Sequence, residues 1–338
     1  MNIQSAIQKA IDKQNLTQDE MTDVMHQIMT GQATDSQIGG FLIAMRMKGE
    51  TVEEITAAAG VMRSLATPVE LKPTNLVEIV GTGGDGSSTF NVSTASCFVV
   101  AAAGARVAKH GNRSVSSKSG AADLLETAGV NLDITAEQVK SCVDEIGVGF
   151  MFAPNHHSAM KHAIGPRKEM GVRTLFNLLG PLTNPAGTPN QVLGVFSKDW
   201  VRPLADVLNK LGSNHVMVVH AEDGMDEISI SSPTFVAELK NGEVTEYSIK
   251  PEDFGMMQHP ISSIRVKDAE KSLEMINAVL SNEANSARDI VALNAGAAIY
   301  VSGLASSHKA GIVRALEVIA SGEAKQRLLN LINKTNSY

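Results

Sequence analysis

Residues 76–96, LVEIVGTGGDGSSTFNVSTAS, constrain the fold more than any other stretch. The run opens apolar and β-prone (Leu76, Val77, Ile79, Val80) and breaks into Gly81, Gly83, Gly84 and Gly86. It resumes at Asn91, Val92, Ser93 and Thr94 ahead of an alanine-rich apolar segment. That order predicts strand, loop and helix start, with Ser93 and Thr94 placed to accept from orphan N–H groups of the first turn. Glycines let backbone N–H groups close on a ligand, and a helix N-terminus attracts anions. The loop is a candidate phosphate cradle, although it fits neither GxGxxG nor GxxxxGKS/T. Asp85 would repel a bare phosphate, so it implies either a metal ion in between or sugar hydroxyls as donors.

Around this stretch the texture changes twice. Residues 1–68 read as helices only: Ile3, Ile7 and Ile11 share a face, and Thr17/Glu20, Thr34/Gln37 and Thr51/Glu54 stand at capping spacings. Pro68 and Pro73 mark a linker. Beyond it, strand candidates at 76–80, 106–108, 149–152, 192–195 and 216–219 alternate with helix candidates at 93–103, 121–128, 136–146 and 198–211. This alternation predicts a mostly parallel sheet that gathers ligands at the carboxyl ends of its strands. Residues 153–190, rich in His, Arg and Asn, interrupt the rhythm as an excursion back toward the helical part. Strand-like runs at 234–239 and 245–249 flank the hairpin signal Asn241-Gly242. Helices around 273–280, 290–301 and 312–319 close the chain.

A chain of 338 residues is long for one core, in keeping with two domains. A net charge of -7 argues against a general nucleic-acid binder, because phosphate backbones need a basic field. Cys97 and Cys142 lie in apolar helical stretches and read as buried thiols of a reducing compartment. No apolar run approaches the roughly 20 residues of a membrane span, and the polar N-terminus lacks a secretory core, so a cytoplasmic location is expected.

Three further motifs carry chemistry. Residues 106–126, RVAKHGNRSVSSKSGAADLLE, follow a short strand with Lys109, His110, Asn112, Arg113 and a run of serines, the charge and donor density a diphosphate needs. Residues 222–230, EDGMDEISI, hold Glu222, Asp223, Asp226 and Glu227, hard oxygen donors suited to Mg²⁺. In the excursion, Arg167 can fork onto a carboxylate. His156, His157 and His162 lack the i, i+4 spacing of a helical metal site, and Arg173, Asn177 and Asn184 shape the turn. The inventory suits a phosphorylated sugar bound through Mg²⁺ and attacked by a second substrate.

GTGGDGSSTFNVST, KHGNRSVSSKSGAADLLE, GPRKEMGVRTLFNLLGPLTNPA and DGMDEIS, in that order across nearly the whole chain, resemble the anthranilate phosphoribosyltransferase family. The resemblance implies a small all-helical domain (1–68, with an excursion of about 155–188 returning to it) joined to a larger α/β domain (74–154 and 189–338) with a mostly parallel central sheet, as in class II-type nucleoside phosphorylases. It implies a cytoplasmic homodimer formed through the helical domain, and attack of the anthranilate amine on C1 of phosphoribosyl pyrophosphate in tryptophan biosynthesis. The phosphoribosyl pyrophosphate contacts would be Gly81, Gly84, Asp85, Thr89, Asn91, Val92, Ser93, Thr94, Lys109, His110, Gly111, Asn112, Arg113, Ser114, Val115, Ser116, Ser117 and Ala121. Ser93, Asp226 and Glu227 would hold magnesium, as two ions. Gly81, Asn112 and Arg167 would contact anthranilate, with His110 nearby, and Lys109, Arg113 and Arg167 would carry the catalytic charge. Ser158 stands where the family usually has proline, which changes the stiffness of the backbone before the excursion helix. A same-fold phosphorylase, using phosphate as nucleophile, and a non-catalytic nucleic-acid-binding relative are the alternatives. The acidic pair with Arg167 argues against the first, and the intact glycines and acidic balance argue against the second.

Overall fold

The computed structural model describes residues 1–114 and 119–338. Four helices come first: α1 (Ile3–Ile11), α2 (Gln18–Met29), α3 (Asp35–Lys48) and α4 (Val52–Leu65). The threonine signals act as expected, because Thr17, Thr34 and Thr51 each close a reciprocal capping box with Glu20, Gln37 and Glu54. The face expected of α1 is corrected. Ile3, Ala6 and Ala10 point inward and Ile11 is exposed, because a strict i, i+4, i+8 series drifts around a helix of 3.6 residues per turn.

The α/β part runs β1 (Leu76–Gly81), α5 (Val92–Ala102), β2 (Arg106–Gly111), α6 (Ala121–Thr127), α7 (Ala136–Ile146) and β3 (Val148–Phe152). The excursion follows as α8 (Ala153–His156), α9 (Lys161–Met170) and α10 (Phe176–Leu179). The chain returns through β4 (Asn190–Gly194), α11 (Val201–Lys210), β5 (His215–Ala221), β6 (Thr234–Lys240) and β7 (Glu243–Ile249). It ends in α12 (Ala269–Leu280), α13 (Ser286–Val301), α14 (His308–Ala320) and α15 (Glu323–Thr335). The Asn241-Gly242 turn has φ of 55° and 81°, the paired positive values that join twisted strands tightly.

The seven strands lie in the order β3-β2-β1-β4-β5-β6-β7. β1 to β5 pair in parallel, and β6 and β7 add an antiparallel edge. The chain steps from β1 outward to β3 and then crosses to the other side of β1. The order of strands therefore reverses between β1 and β4, and an open parallel sheet leaves its ligand crevice at the carboxyl ends of such a pair.

Alternating side chains divide the sheet between two cores. Val192, Met217 and Val219 face a core shared with α5, α12, α13, α14 and α15. Leu193, Val216 and Val218 face α11 and the helical domain. The excursion packs on that second side, where a Cβ on Gly31 at the end of α2 would meet the His162 ring at 2.7 Å. No helix among the described residues is long and apolar enough to cross a membrane.

Candidate active site

The acidic loop after β5 lies on the switch point. Its tightest contacts are with the last residues of β1 and β4, where a Cβ on Gly81 would fall 2.3 Å from the Asp226 carboxylate and one on Gly194 1.6 Å from the Asp226 carbonyl oxygen. Glycine is required at both tips because another chain segment occupies the space of a side chain. The Asp226 carboxylate accepts from the Gly83 N–H at 2.7 Å, so the acidic loop and the glycine-rich loop hold each other.

Beneath them the second motif enters. Lys109, 3% exposed, donates to the Ile79 carbonyl at 2.9 Å and reaches Ser93 Oγ at 3.4 Å. The Ser93 N–H in turn donates to Glu227 at 3.2 Å. Asn91 joins the two phosphate-type loops: its Oδ1 accepts from Ser119 and Ser272, and its amide donates to the Ser119 carbonyl. Asp123 accepts from the N–H groups of Ser114 and Gly120, both at 2.9 Å, and so pins the ends of the serine run to α6.

Helix capping by Ser93 and Thr94 is corrected. α5 begins at Val92 after Asn91, which makes no side-chain cap. Glu227, arriving from another loop, accepts at the first turn, and the buried Thr94 hydroxyl has no partner among the described residues. The helix end is left to a through-space carboxylate that adjacent sequence does not reveal.

Three carboxylates converge at the switch point. Desolvation, then the charge of Asp85, pushes the buried Asp226 carboxyl above its usual range. Desolvation and then Asp226 push Glu227 up to about 8, against the lowering pull of Lys109. Asp85 itself accepts from the Ser87 N–H and hydroxyl. Among the described residues no group of three or more His, Cys, Asp or Glu can hold a metal alone. Oxygen donors that raise one another's proton affinity still fit a hard divalent cation that takes its remaining ligands from water and phosphate. Asp226, Glu227 and the Ser93 hydroxyl are the residues that would hold it.

The structure does not unite every expected residue. Arg113 is half-exposed and turned onto α6, where Nη2 donates to Glu126 at 2.6 Å, Nη1 reaches Asp123 at 3.7 Å and the cation lies over Phe152. Among the described residues, Lys109 is the buried cation beside Ser93 and Glu227. Thr89 sits at the far end of the glycine-rich loop, in an isolated bridge with Arg265. Gly111 and Ala121 abut, and Asn112 Oδ1 accepts from the Arg113 N–H. Val115, Ser116 and Ser117 lie outside the described residues.

Arg167 on α9 has its guanidinium over the Phe176 ring at 5.0 Å, and burial lowers its pKa with no opposing carboxylate among the described residues. His110 and His157 face each other with ring centroids 5.0 Å apart. Burial drives both imidazoles toward the neutral form, His157 to about 4, and neither buried Nε2 has a partner among the described residues. His156 is engaged elsewhere, through Nδ1 and the Thr67 carbonyl. Ser158 opens a short 3-10 turn between the two histidines and α9.

The sequence reading missed Glu78. This carboxylate lies in the middle of β1, fully buried, accepting from the His110 N–H and from Gln191 of β4, both at 2.9 Å. Desolvation pushes it up to about 7. An acidic residue inside an apolar strand is the signal that could have marked it.

The site thus places a glycine-rich loop, a buried lysine and an acidic loop on the tips of neighbouring parallel strands, with a helical domain alongside. That architecture is matched by two domain families, "Glycosyl transferase family, helical bundle domain" over residues 4–66 and "Glycosyl transferase family, a/b domain" over residues 73–325. The anthranilate phosphoribosyltransferase of Thioalkalivibrio sulfidiphilus is 63% identical, over all of both chains. The crystal structure of the Thermus thermophilus anthranilate phosphoribosyltransferase is 42% identical, with a TM-score of 0.93 over 98% of this chain and 99% of that one. The Saccharomyces cerevisiae enzyme, in complex with PRPP and Mg, is 28% identical, with a TM-score of 0.91 over 99% and 98%. The chain belongs to the glycosyl transferase family and, within it, to the anthranilate phosphoribosyltransferases.

Proposed function

We propose that this chain transfers the phosphoribosyl group of phosphoribosyl pyrophosphate to the amine of anthranilate, releasing pyrophosphate, as a pentosyltransferase of tryptophan biosynthesis. The observation that carries the reading is the meeting of Asp226 with Gly81, Gly83 and Gly194, which sets a metal-type carboxylate against a phosphate-type loop at the switch point.

The amine lone pair forms a bond to C1 as the bond from C1 to the diphosphate oxygen breaks, and the nitrogen then releases a proton. An aromatic amine is neutral at pH 7, so the work lies in alignment and in accommodating the departing charge. Magnesium, as two ions, supplies charge neutralisation of the diphosphate. Ser93, Asp226 and Glu227 would hold it. Gly81, Gly84, Asp85 and Thr89 of the glycine-rich loop, Asn91 to Thr94 at the first turn of α5, and Lys109 to Ser117 with Ala121 would form the donor site. Lys109 meets the phosphate charge directly. Arg113 contributes only if it leaves Glu126. Arg167 binds the anthranilate carboxylate, beside Gly81 and Asn112, and the neutral imidazole of His110 lies close by.

Residues 1–68 with the excursion of about 155–188 form the acceptor-side helical domain, and residues 74–154 and 189–338 form the donor domain. The enzyme is a cytoplasmic homodimer in this reading, joined through the helical domain, where Ile11 and Met47 leave exposed apolar side chains for a second copy to cover. The test is the loss of anthranilate fluorescence on adding phosphoribosyl pyrophosphate and Mg²⁺. No loss, or loss independent of either addition, would reject the reading.

A further inference from the structure

Arg173 follows α9 in the excursion and forms part of a closed ring of contacts around the glycine-rich loop. Its Nη2 donates to the Gly84 carbonyl, and its guanidinium carbon lies over the Phe196 ring, 4.4 Å from the centroid. The Phe196 N–H donates to Thr82 Oγ1 at 3.0 Å, two residues before Gly84. On the far side the Arg173 carbonyl accepts from Arg46 of α3, in the helical domain. Gly84 has φ of 74°, and a Cβ there would stand 3.2 Å from Arg173 Nη2.

We propose that Arg173 is a positioning residue of the transfer: a strut from the acceptor-side excursion that holds the glycine-rich loop in the register that receives the diphosphate. This rests on the transferase reading above. Two supports fix that loop from opposite sides. Asp226 accepts from the Gly83 N–H, and Arg173 donates to the next carbonyl. A metal-bound diphosphate competes for both the Gly83 N–H and the Asp226 carboxylate, so its arrival releases the first support and leaves the second. Arg173 is exposed, and its charge lies against the glycine-rich loop that would receive the diphosphate charge. Guanidinium alone suits the position, because it stacks on an aromatic face and donates in its own plane, whereas an ammonium does one or the other.

The test compares wild type with Arg173→Ala, Arg173→Lys and Phe196→Leu, by steady-state kinetics and by calorimetric binding of magnesium phosphoribosyl pyrophosphate. Arg173→Ala should weaken donor binding and raise the donor KM about tenfold, the size of one lost charge-assisted hydrogen bond. The anthranilate KM should stay within about twofold, with an unchanged Tm. Arg173→Lys should recover part of the donor affinity, and Phe196→Leu should lose a smaller part. Donor binding equal to wild type in Arg173→Ala overturns the proposal. So do equal rises in both KM values with a lowered Tm, because those mark a structural defect. A wild-type chain that binds the donor complex and fails to transfer it overturns the transferase reading, while the calorimetry still decides the strut.

Discussion

Glu227→Gln should make the metal-free protein more stable and less able to use magnesium. The folded-state carboxyl stands near 8 rather than 4.5, because burial and the neighbouring Asp226 charge oppose ionisation. At about 1.4 kcal/mol per pH unit this difference is on the order of 4–5 kcal/mol, and residual solvent contact screens it to about 1–3 kcal/mol. The sign follows from linkage: the folded chain keeps a proton that the unfolded chain loses above 4.5, so wild type loses stability as pH rises from 4.5 to about 8. Glutamine keeps an acceptor for the Ser93 N–H and carries no charge. The variant's advantage should therefore be absent near pH 4, open through that window and be complete above pH 8, worth a few degrees of Tm per kcal/mol. Urea melts in chelator at several pH values measure it. With both substrates present, the Mg²⁺ midpoint of the variant should rise by at least about tenfold, since even outer-shell partners of a metal are worth that much. Parallel pH–stability curves for the two proteins would refute the electrostatic reasoning, and an unchanged Mg²⁺ midpoint would reject Glu227 as a ligand.

Arg167→Ala should raise the anthranilate KM roughly 10–100-fold, the range of a lost charge-assisted carboxylate contact, while the donor KM moves far less; equal rises would remove Arg167 from the acceptor site. Gly194→Ala puts a methyl group on the Asp226 carbonyl and should displace the acidic loop at a cost of at least about 2 kcal/mol, with loss of the Mg²⁺ response; normal kinetics would contradict the close approach. At the opposite end of the sheet burial alone would raise Glu238, but hydrogen bonds from His215, Tyr247 and Tyr300 outweigh it and hold the carboxyl down to about 2. Its stabilisation is present above 4.5 and is lost as pH falls toward 2, so Glu238→Gln should flatten the acid limb of the stability curve and leave kcat at pH 7.5 unchanged. An acid limb identical to wild type would show that the cluster does not contribute.

What the sequence disclosed is what neighbours along the chain decide. Threonine boxes set three helix starts, the Asn241-Gly242 pair set the hairpin, and apolar runs broken by glycine set β1 and its loop. α15 escaped because its thirteen residues are mostly polar, with Ala324, Leu328 and Leu331 on a narrow buried stripe that reads as a polar tail until α5 and α7 cover it. The cap of α5 escaped for a related reason: its carboxylate comes from position 227. Gly194 lay unmarked within the strand candidate 192–195, and Arg173 read as a residue shaping a turn. The contacts of both are made across the sheet and across the two domains, at separations where one sequence carries no register.

Glu78 shows why those long-range contacts matter to the chemistry. It faces Gln191 in the parallel register of β1 and β4, and the same Gln191 amide donates to the Pro181 carbonyl at the end of the excursion. Glu78 also holds the His110 N–H of β2, while Asn184 of the excursion donates to the Ala108 carbonyl of that strand. Arg63 of α4 reaches the same segment at the Leu182 carbonyl. The strands whose tips present the glycine-rich loop and Lys109 are thus the strands that anchor the arm carrying Arg167. Two substrates bound on separate domains react at a useful rate only if their reacting atoms are held at a fixed spacing, because effective molarity falls steeply with misplacement. A buried polar network is a costly way to join elements that apolar packing could also join, but hydrogen bonds fix direction and register where packing allows sliding. The expense of burying Glu78 is therefore consistent with a geometric task, setting the glycine-rich loop and the arm that carries Arg167 on one rigid frame.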